Sequence, residues 1–158
     1  MFRILFLCTG NSARSQMAEA LLNWKGKDRF EAYSAGSRPA AQVNPLAIAT
    51  LREHGIPWAG HAPRGIDGLE HEPWDFVVTV CDRAKEACPI FPGQPILAHW
   101  GMPDPAEVDG DGVTKRAAFR DAFVLLSRRI DLLLALPLET LEQLALESQV
   151  RAIGNAGS

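Results

Sequence analysis

Cys8-Thr9-Gly10-Asn11-Ser12-Ala13-Arg14-Ser15 sets a thiol and a guanidinium six positions apart, with five small or polar residues between them. That is the composition of an oxyanion cradle. A loop of this kind leading into a helix turns successive backbone N–H groups into an anion-sized hollow. The helix dipole adds positive potential, and Arg14 offers a planar fork of donors to a tetrahedral oxyanion. The same field lowers the pKa of the Cys8 thiol, since thiols at helix N-termini titrate anywhere from ~3.5 to ~7.5. Ser15 can donate its hydroxyl to the thiolate. Gly10 and Asn11 tolerate the positive φ that a tight loop needs. No Gly-Lys-Ser/Thr is present, so this is not a nucleotide-binding Walker loop. The candidate contacts to a bound oxyanion are Thr9, Gly10, Asn11, Ser12, Ala13, Arg14 and Ser15.

Asp104 precedes Pro105, which biases it to an extended conformation and aims its carboxylate off a loop. Asp-Pro is also a common turn signature, so the pair alone fits either a proton donor or a turn. Six residues separate Cys81 from Cys88. Close zinc-ligand pairs are separated by ~2–4 residues, so this is not a zinc spacing, and it is not Cys-x-x-Cys. On an unbroken helix the seven-residue advance covers about 10 Å. A disulfide needs Cα atoms within ~7 Å. The two thiols pair only if the segment between them unwinds; otherwise they are two structural thiols. His54, His61, His71 and His99 show no paired ligand spacing, so no metal site is expected. Trp24, Trp58, Trp74 and Trp100 read as packing residues.

The elements that must position these groups follow from hydrophobic patterning. Ile4–Leu7 is a continuous apolar run ending in small polar residues, which fits a strand buried on both faces. A helix is predicted over Ser15–Lys25, a strand over Phe30–Ser34, and a helix opened by Pro45 with Ala47, Ile48 and Leu51 on its apolar stripe. Residues 56–73 read as loop, with a short strand near Trp58 and one helical turn. Phe76–Val80 is a second buried strand. Asp82 caps a short helix reaching Ala87 before Pro89. Pro95–Ala98 is a brief strand, and 99–112 is irregular. Thr114 is the expected cap of a long helix to Leu136, with Ala118, Phe119, Ala122, Leu125, Leu126, Leu132 and Leu133 as its core face. A further helix is expected over Glu139–Ile153, carrying Leu141, Leu144 and Ala145 on one side. Strands alternating with helices imply a three-layer α/β fold with a mostly parallel sheet. In such sheets ligands sit beyond the carboxyl ends of the strands, where Cys8, Cys81 and Asp104 all fall.

With 158 residues, the chain suits one compact domain and a short appendage. Hydrophobic residues make up 47% and the net charge is −3, which excludes the basic surface of a general nucleic-acid binder. No apolar run approaches the ~20 residues needed to span a bilayer, and the N-terminal run is too short for a signal peptide. The expected location is therefore cytoplasmic. Three cysteines are too few for a disulfide scaffold.

Cys8–Ser15 followed by Gln16-Met17-Ala18-Glu19 resembles the phosphatase loop of the low-molecular-weight protein tyrosine phosphatase fold. More narrowly, it is similar to the thioredoxin-coupled arsenate reductases built on that fold. Supporting segments are Tyr33-Ser34-Ala35-Gly36, Val43-Asn44-Pro45, Val78-Thr79-Val80-Cys81, Cys88-Pro89-Ile90, and His99-Trp100-Gly101 through Asp104-Pro105-Ala106. The resemblance implies a central four-stranded sheet and a domain over 1–137, with 138–158 as a helical extension. It implies Cys8 as nucleophile, Arg14 as oxyanion clamp and Asp104 as general acid. It also implies a relay through Cys8–Cys81 and Cys81–Cys88 disulfides, regenerated by thioredoxin, with glutaredoxin as the other candidate reductant. No cofactor is implied. Relatives that bind potassium near the loop use an Asn, a Glu, a Ser and an Asp. Asn11, Glu19 and Ser34 match, but Arg64 stands at the Asp position, which argues against a cation and puts its guanidinium there. Two rivals follow: a phosphotyrosine phosphatase, and a non-catalytic oxyanion-binding or redox-sensing protein. Phosphatases usually carry aromatic residues after Asp-Pro, where this chain has Ala106-Glu107. The intact Cys8, Arg14 and Asp104 argue against a silent protein.

Overall fold

The computed structural model describes residues 1–58, 60–86 and 88–156. Strands β1 (Phe2–Cys8), β2 (Phe30–Gly36), β3 (Phe76–Thr79) and β4 (Ile96–His99) form one sheet in the order β2-β1-β3-β4. Every strand pair is parallel. The helices are α1 (Arg14–Lys25), α2 (Pro45–Glu53), α3 (Asp82–Glu86), α4 (Gly112–Leu134) and α5 (Gln143–Ile153). The expected α/β fold is therefore present, with β1 at the centre of the sheet. Ile4, Leu5, Phe6 and Leu7 all have 0% exposure, as a strand covered on both faces requires. Each such side chain contributes about 1.5–3 kcal/mol of hydrophobic stabilisation. None of the described helices is long and apolar enough to cross a membrane.

Register brings the strand ends level. Leu7 pairs with Thr79 and Thr79 with His99, while Cys8 pairs with Gly36. The segments leaving β1, β3 and β4 thus emerge side by side at one sheet edge. At that edge stand Cys8, Cys81 and the chain leading to Asp104.

Several boundaries differ from the sequence expectation. β1 and β2 are longer because Phe2–Arg3 and Ala35–Gly36 also enter the ladder. No strand forms at Trp58 among the described residues; the 56–73 stretch holds a 3-10 turn at Leu69–His71 and a lone bridge between Gly36 and Gly65. Ala87, expected to end the short helix, lies outside the described residues. Thr114 does not cap α4. The Asp111 carboxylate accepts from the Thr114 N–H at 2.8 Å, so the helix begins at Gly112, as the stronger capping preference of Asp dictates. α4 ends at Leu134 rather than Leu136. Leu132 is 40% exposed, and Ala118 and Leu125 are only half-buried, whereas Arg129 is buried on the core face. α5 starts at Gln143, after a turn in which the Thr140 hydroxyl donates to the Pro137 carbonyl. Its buried face is Leu146, Val150 and Ile153, not Leu141, Leu144 and Ala145; Leu144 is exposed. The spacing 146–150–153 follows the helical period against β4 and α4, a match that the first turn alone does not reveal.

Candidate active site

The Cys8–Ser15 loop joins β1 to α1, and the segment after β2 fixes its shape. Ser37, Arg38, Ala40 and Asn44 donate their backbone N–H groups to the carbonyls of Cys8, Thr9, Gly10 and Ser12. With its carbonyls turned outward, the loop faces its own N–H groups inward. Asn11 takes the left-handed conformation, φ 51, in keeping with the tolerance of Asn there. Its N–H donates to Cys8 Sγ at 3.1 Å. Its side-chain amide donates to Ser15 Oγ at 2.8 Å and to Ser34 Oγ at 2.9 Å. Ser15 Oγ accepts from Asn11, so its own proton is directed at Cys8 Sγ, 2.8 Å away. Ser34 in turn donates to Glu19, which also holds His61 Nε2 at 3.0 Å. Arg64 reaches the same network, its N–H on Asn11 Oδ1 and its Nε on the Ser34 carbonyl.

Gly36 closes the back of the loop. A Cβ there would collide with the Thr9 carbonyl and come within 3.0 Å of the Asn11 amide. Gly36→Ala is therefore expected to destabilise the protein by about 1–3 kcal/mol, the usual range for overpacking, and to cut loop-dependent activity more than stability alone explains. Denaturant titration alongside turnover checks both.

Arg14 crosses the mouth of the loop. Its Nη1 donates to the Met102 carbonyl at 2.9 Å, and its Nη2 lies 3.4 Å from the Asp104 carboxylate. Asp104 also accepts from the Ala106 N–H, capping the 3-10 turn Pro105–Glu107. The turn signature and the site position are thus both realised in one residue. Cys8, Thr9, Gly10, Ser12, Ala13, Arg14, Cys81 and Asp104 line one cavity of about 390 Å³, with Asn11 and Ser15 packed behind the loop.

Cys81 faces Cys8 across that cavity, its Sγ 3.3 Å from the Thr9 hydroxyl. Cys88 does not share it. Cys88 lines a separate, mainly apolar hollow of about 420 Å³ with Val77, Leu97 and Arg151. All three thiols are free. Cys81 is buried and Cys88 half-buried, packed against the core. Only Ala84 of α3 is buried, so the helix loses little packing on opening.

Burial pushes the Cys8 thiol up, while Ser15, the Asn11 N–H and the Arg14 charge pull it down. The net direction is upward, against the depressed thiol expected from the helix dipole, because burial of Cys8 at the end of β1 outweighs the donors. Ser15→Ala removes the strongest of the opposing contacts. Its Cys8 should therefore alkylate along a pH curve displaced to higher pH than in the wild type, as read by mass spectrometry of the Cys8 peptide against iodoacetamide.

Sequence reasoning missed three contributors. The Met102 carbonyl anchors Arg14 but has no side-chain signature. His99 spans Thr79 at 2.7 Å through Nδ1 and Asp82 at 2.9 Å through Nε2, which donates to the carboxylate, tethering the start of α3. The third is Arg129, buried in α4, which donates to the Trp100 and Gly101 carbonyls upstream of Asp104.

The model of the family described as low molecular weight phosphotyrosine protein phosphatase matches residues 3–147. The chain belongs to that family. Within it, the chain is 41% identical over 130 residues to an arsenate reductase of Halalkalibacterium halodurans, covering 80% of this chain and 91% of the relative. A solved arsenate reductase in the phosphate binding state superposes with a TM-score of 0.73 at 28% identity, covering 85% of this chain and 98% of that one. A thioredoxin-dependent arsenate reductase of Corynebacterium glutamicum matches with a TM-score of 0.57 at 27% identity, over 84% of this chain and 63% of that one.

Proposed function

We propose that the protein reduces arsenate to arsenite through a thiol relay and is regenerated by thioredoxin. The observation that carries this reading is Cys81 standing in the same cavity as Cys8, with Cys88 at the far end of the short helix α3. The loop N–H groups and Arg14 hold the oxyanion. Cys8 thiolate attacks arsenic, an As–O bond breaks, and Asp104 protonates the departing oxygen as water. Cys81 thiolate then attacks Cys8 Sγ. The S–As electron pair returns to arsenic, which leaves as arsenite, and a Cys8–Cys81 disulfide remains. Cys88 thiolate attacks Cys81 Sγ and releases Cys8 as thiolate. The Cys81–Cys88 disulfide requires α3 to unwind, because its cysteines stand too far apart on a helix. An external dithiol reduces it. A reducing cytoplasm suits a chain that works through free thiols.

The relatives named arsenate reductase and the absence of aromatic residues after Asp104-Pro105 support this reading over phosphotyrosine hydrolysis. Slow hydrolysis of small aryl phosphates is expected alongside, since it needs only Cys8, Arg14 and Asp104. The deciding assay is arsenate-dependent NADPH oxidation with thioredoxin and thioredoxin reductase, run against the glutaredoxin system. Turnover with thioredoxin is the expected result. Turnover with glutaredoxin alone would replace the reductant, and turnover with neither would remove the reductase reading.

A further inference from the structure

A buried guanidinium is costly unless its donors are satisfied. Arg129 of α4 is 1% exposed, and burial lowers its pKa from the ordinary arginine value. It donates to four carbonyls, all of them backbone: Trp100 at 2.9 Å and Gly101 at 3.1 Å through Nη1, Gly154 at 3.1 Å through Nη2, and Ala156 at 3.3 Å through Nε. The first two lie in the segment that runs from β4 to Asp104. The other two lie at and just beyond the C-terminus of α5, where unpaired carbonyls gather partial negative charge.

Other contacts join the same two pieces of chain. Trp100 Nε1 donates to the Val150 carbonyl at 3.1 Å, and Arg151 Nε donates to the Leu97 carbonyl at 3.1 Å. Gly154 packs so close to the His99 carbonyl that a Cβ would collide with it. From Gly101 the chain passes through Met102 and Pro103 to Asp104. This stretch is short and stiffened by proline. Both of its contacts to Arg14, the Met102 carbonyl and the Asp104 carboxylate, lie within four residues of Trp100, the first carbonyl that Arg129 holds.

We propose that Arg129 is a positioning residue, and that it uses the last turn of α5 as an anchor to fix the 100–104 segment and with it the Asp104 carboxylate. Val150, Gly154 and Ala156 lie beyond residue 147, where the family match stops. The extension thereby gains a role in the chemistry rather than serving as a mere cover for β4. The proposal rests on Asp104 being the proton donor.

Its signature is dependence on the leaving group. A displaced general acid matters for a phosphate ester with a basic leaving group and hardly at all for one that departs unprotonated. General-acid catalysis contributes about 10²–10⁴-fold, so partial displacement should slow phenyl phosphate hydrolysis about tenfold or more and 2,4-dinitrophenyl phosphate hydrolysis less than about twofold. Two variants carry the test: Arg129→Lys, which keeps the charge but cannot span both pieces of chain, and Gly154→Ala, which wedges the end of α5 from His99. Asp104→Asn sets the full size of the pattern. Hydrogen exchange should rise in peptides covering 99–108 in both variants and stay unchanged in β1. Equal slowing of both esters would mean a general loss of active protein and would overturn the proposal, as would unchanged exchange over 99–108. If Asp104→Asn shows no leaving-group dependence, the role given to Asp104 falls; in that case, or if the wild type hydrolyses neither ester, exchange over 99–108 decides whether α5 holds the segment, and unchanged exchange overturns the proposal.

Discussion

Cys8→Ser is expected to reduce arsenate reduction and aryl-phosphate hydrolysis together to background, a loss on the order of 10⁶ where a nucleophile is removed from a working site. Both reactions begin with attack by the same sulfur, which receives the Asn11 N–H at 3.1 Å and lies 2.8 Å from Ser15 Oγ. Those donors stabilise a thiolate. A serine hydroxyl in the same position is hardly ionised near neutrality, and the same hydrogen bonds do not bring it within range. Burial already pushes the thiol up, so the site has no spare driving force to ionise a weaker acid. For the same reason wild-type activity should climb with pH while the thiolate fraction grows. The substitution is nearly isosteric and the loop is held by backbone bonds to Ser37, Arg38, Ala40 and Asn44, so the variant should fold. Thermal unfolding establishes that. Wild-type turnover by folded Cys8→Ser would remove Cys8 from its role.

The loop was legible because its reactive residues are contiguous in the sequence. A buried strand, small residues and an arginine at the right spacing mark a cradle, and placing Cys8 and Arg14 at the sheet edge needed only patterning and the parallel-sheet rule; the bonds from Ser37, Arg38, Ala40 and Asn44 that fix its shape carry no such signal. Cys81 was legible as a group at the same sheet edge. What the sequence hid depends on contacts between distant segments. His99, Thr79 and Asp82 form a chain only because the β3–β4 register sets Thr79 beside His99. Cys88 lines a different hollow from Cys81, a separation that their spacing in the sequence does not reveal. Arg129 sits in a stripe whose neighbours Leu126, Ile130 and Leu133 are buried, and nothing local says that a charged residue belongs there; its partners are carbonyls that carry no residue signature. The buried face of α5 was misjudged because Leu141 precedes the helix and Leu144 faces solvent, whereas contact with β4 selects Leu146, Val150 and Ile153.

Cys81→Ser and Cys88→Ser separate the relay from simple hydrolysis. Either change should abolish multiple-turnover arsenate reduction with thioredoxin, because each removes one partner of the only disulfide that the reductant is proposed to open. Aryl-phosphate hydrolysis should be largely retained, since its nucleophile, oxyanion donor and acid are Cys8, Arg14 and Asp104. The two variants should also differ from each other. In Cys88→Ser, Cys81 still attacks Cys8, so about one equivalent of arsenite is released per protein before the Cys8–Cys81 disulfide stalls the cycle. In Cys81→Ser that attack is missing: Cys88 lines a separate hollow, and no arsenite burst is expected. Quenched-flow arsenite release and mass spectrometry of the trapped disulfide measure the difference. The order follows from position, since Cys81 shares the cavity with Cys8 and Cys88 does not. A burst from Cys81→Ser equal to that from Cys88→Ser would show that Cys88 reaches Cys8 directly and that Cys81 is not the intermediate thiol. Equal loss of reduction and of hydrolysis in folded variants would show that the two cysteines serve the cavity itself rather than a relay.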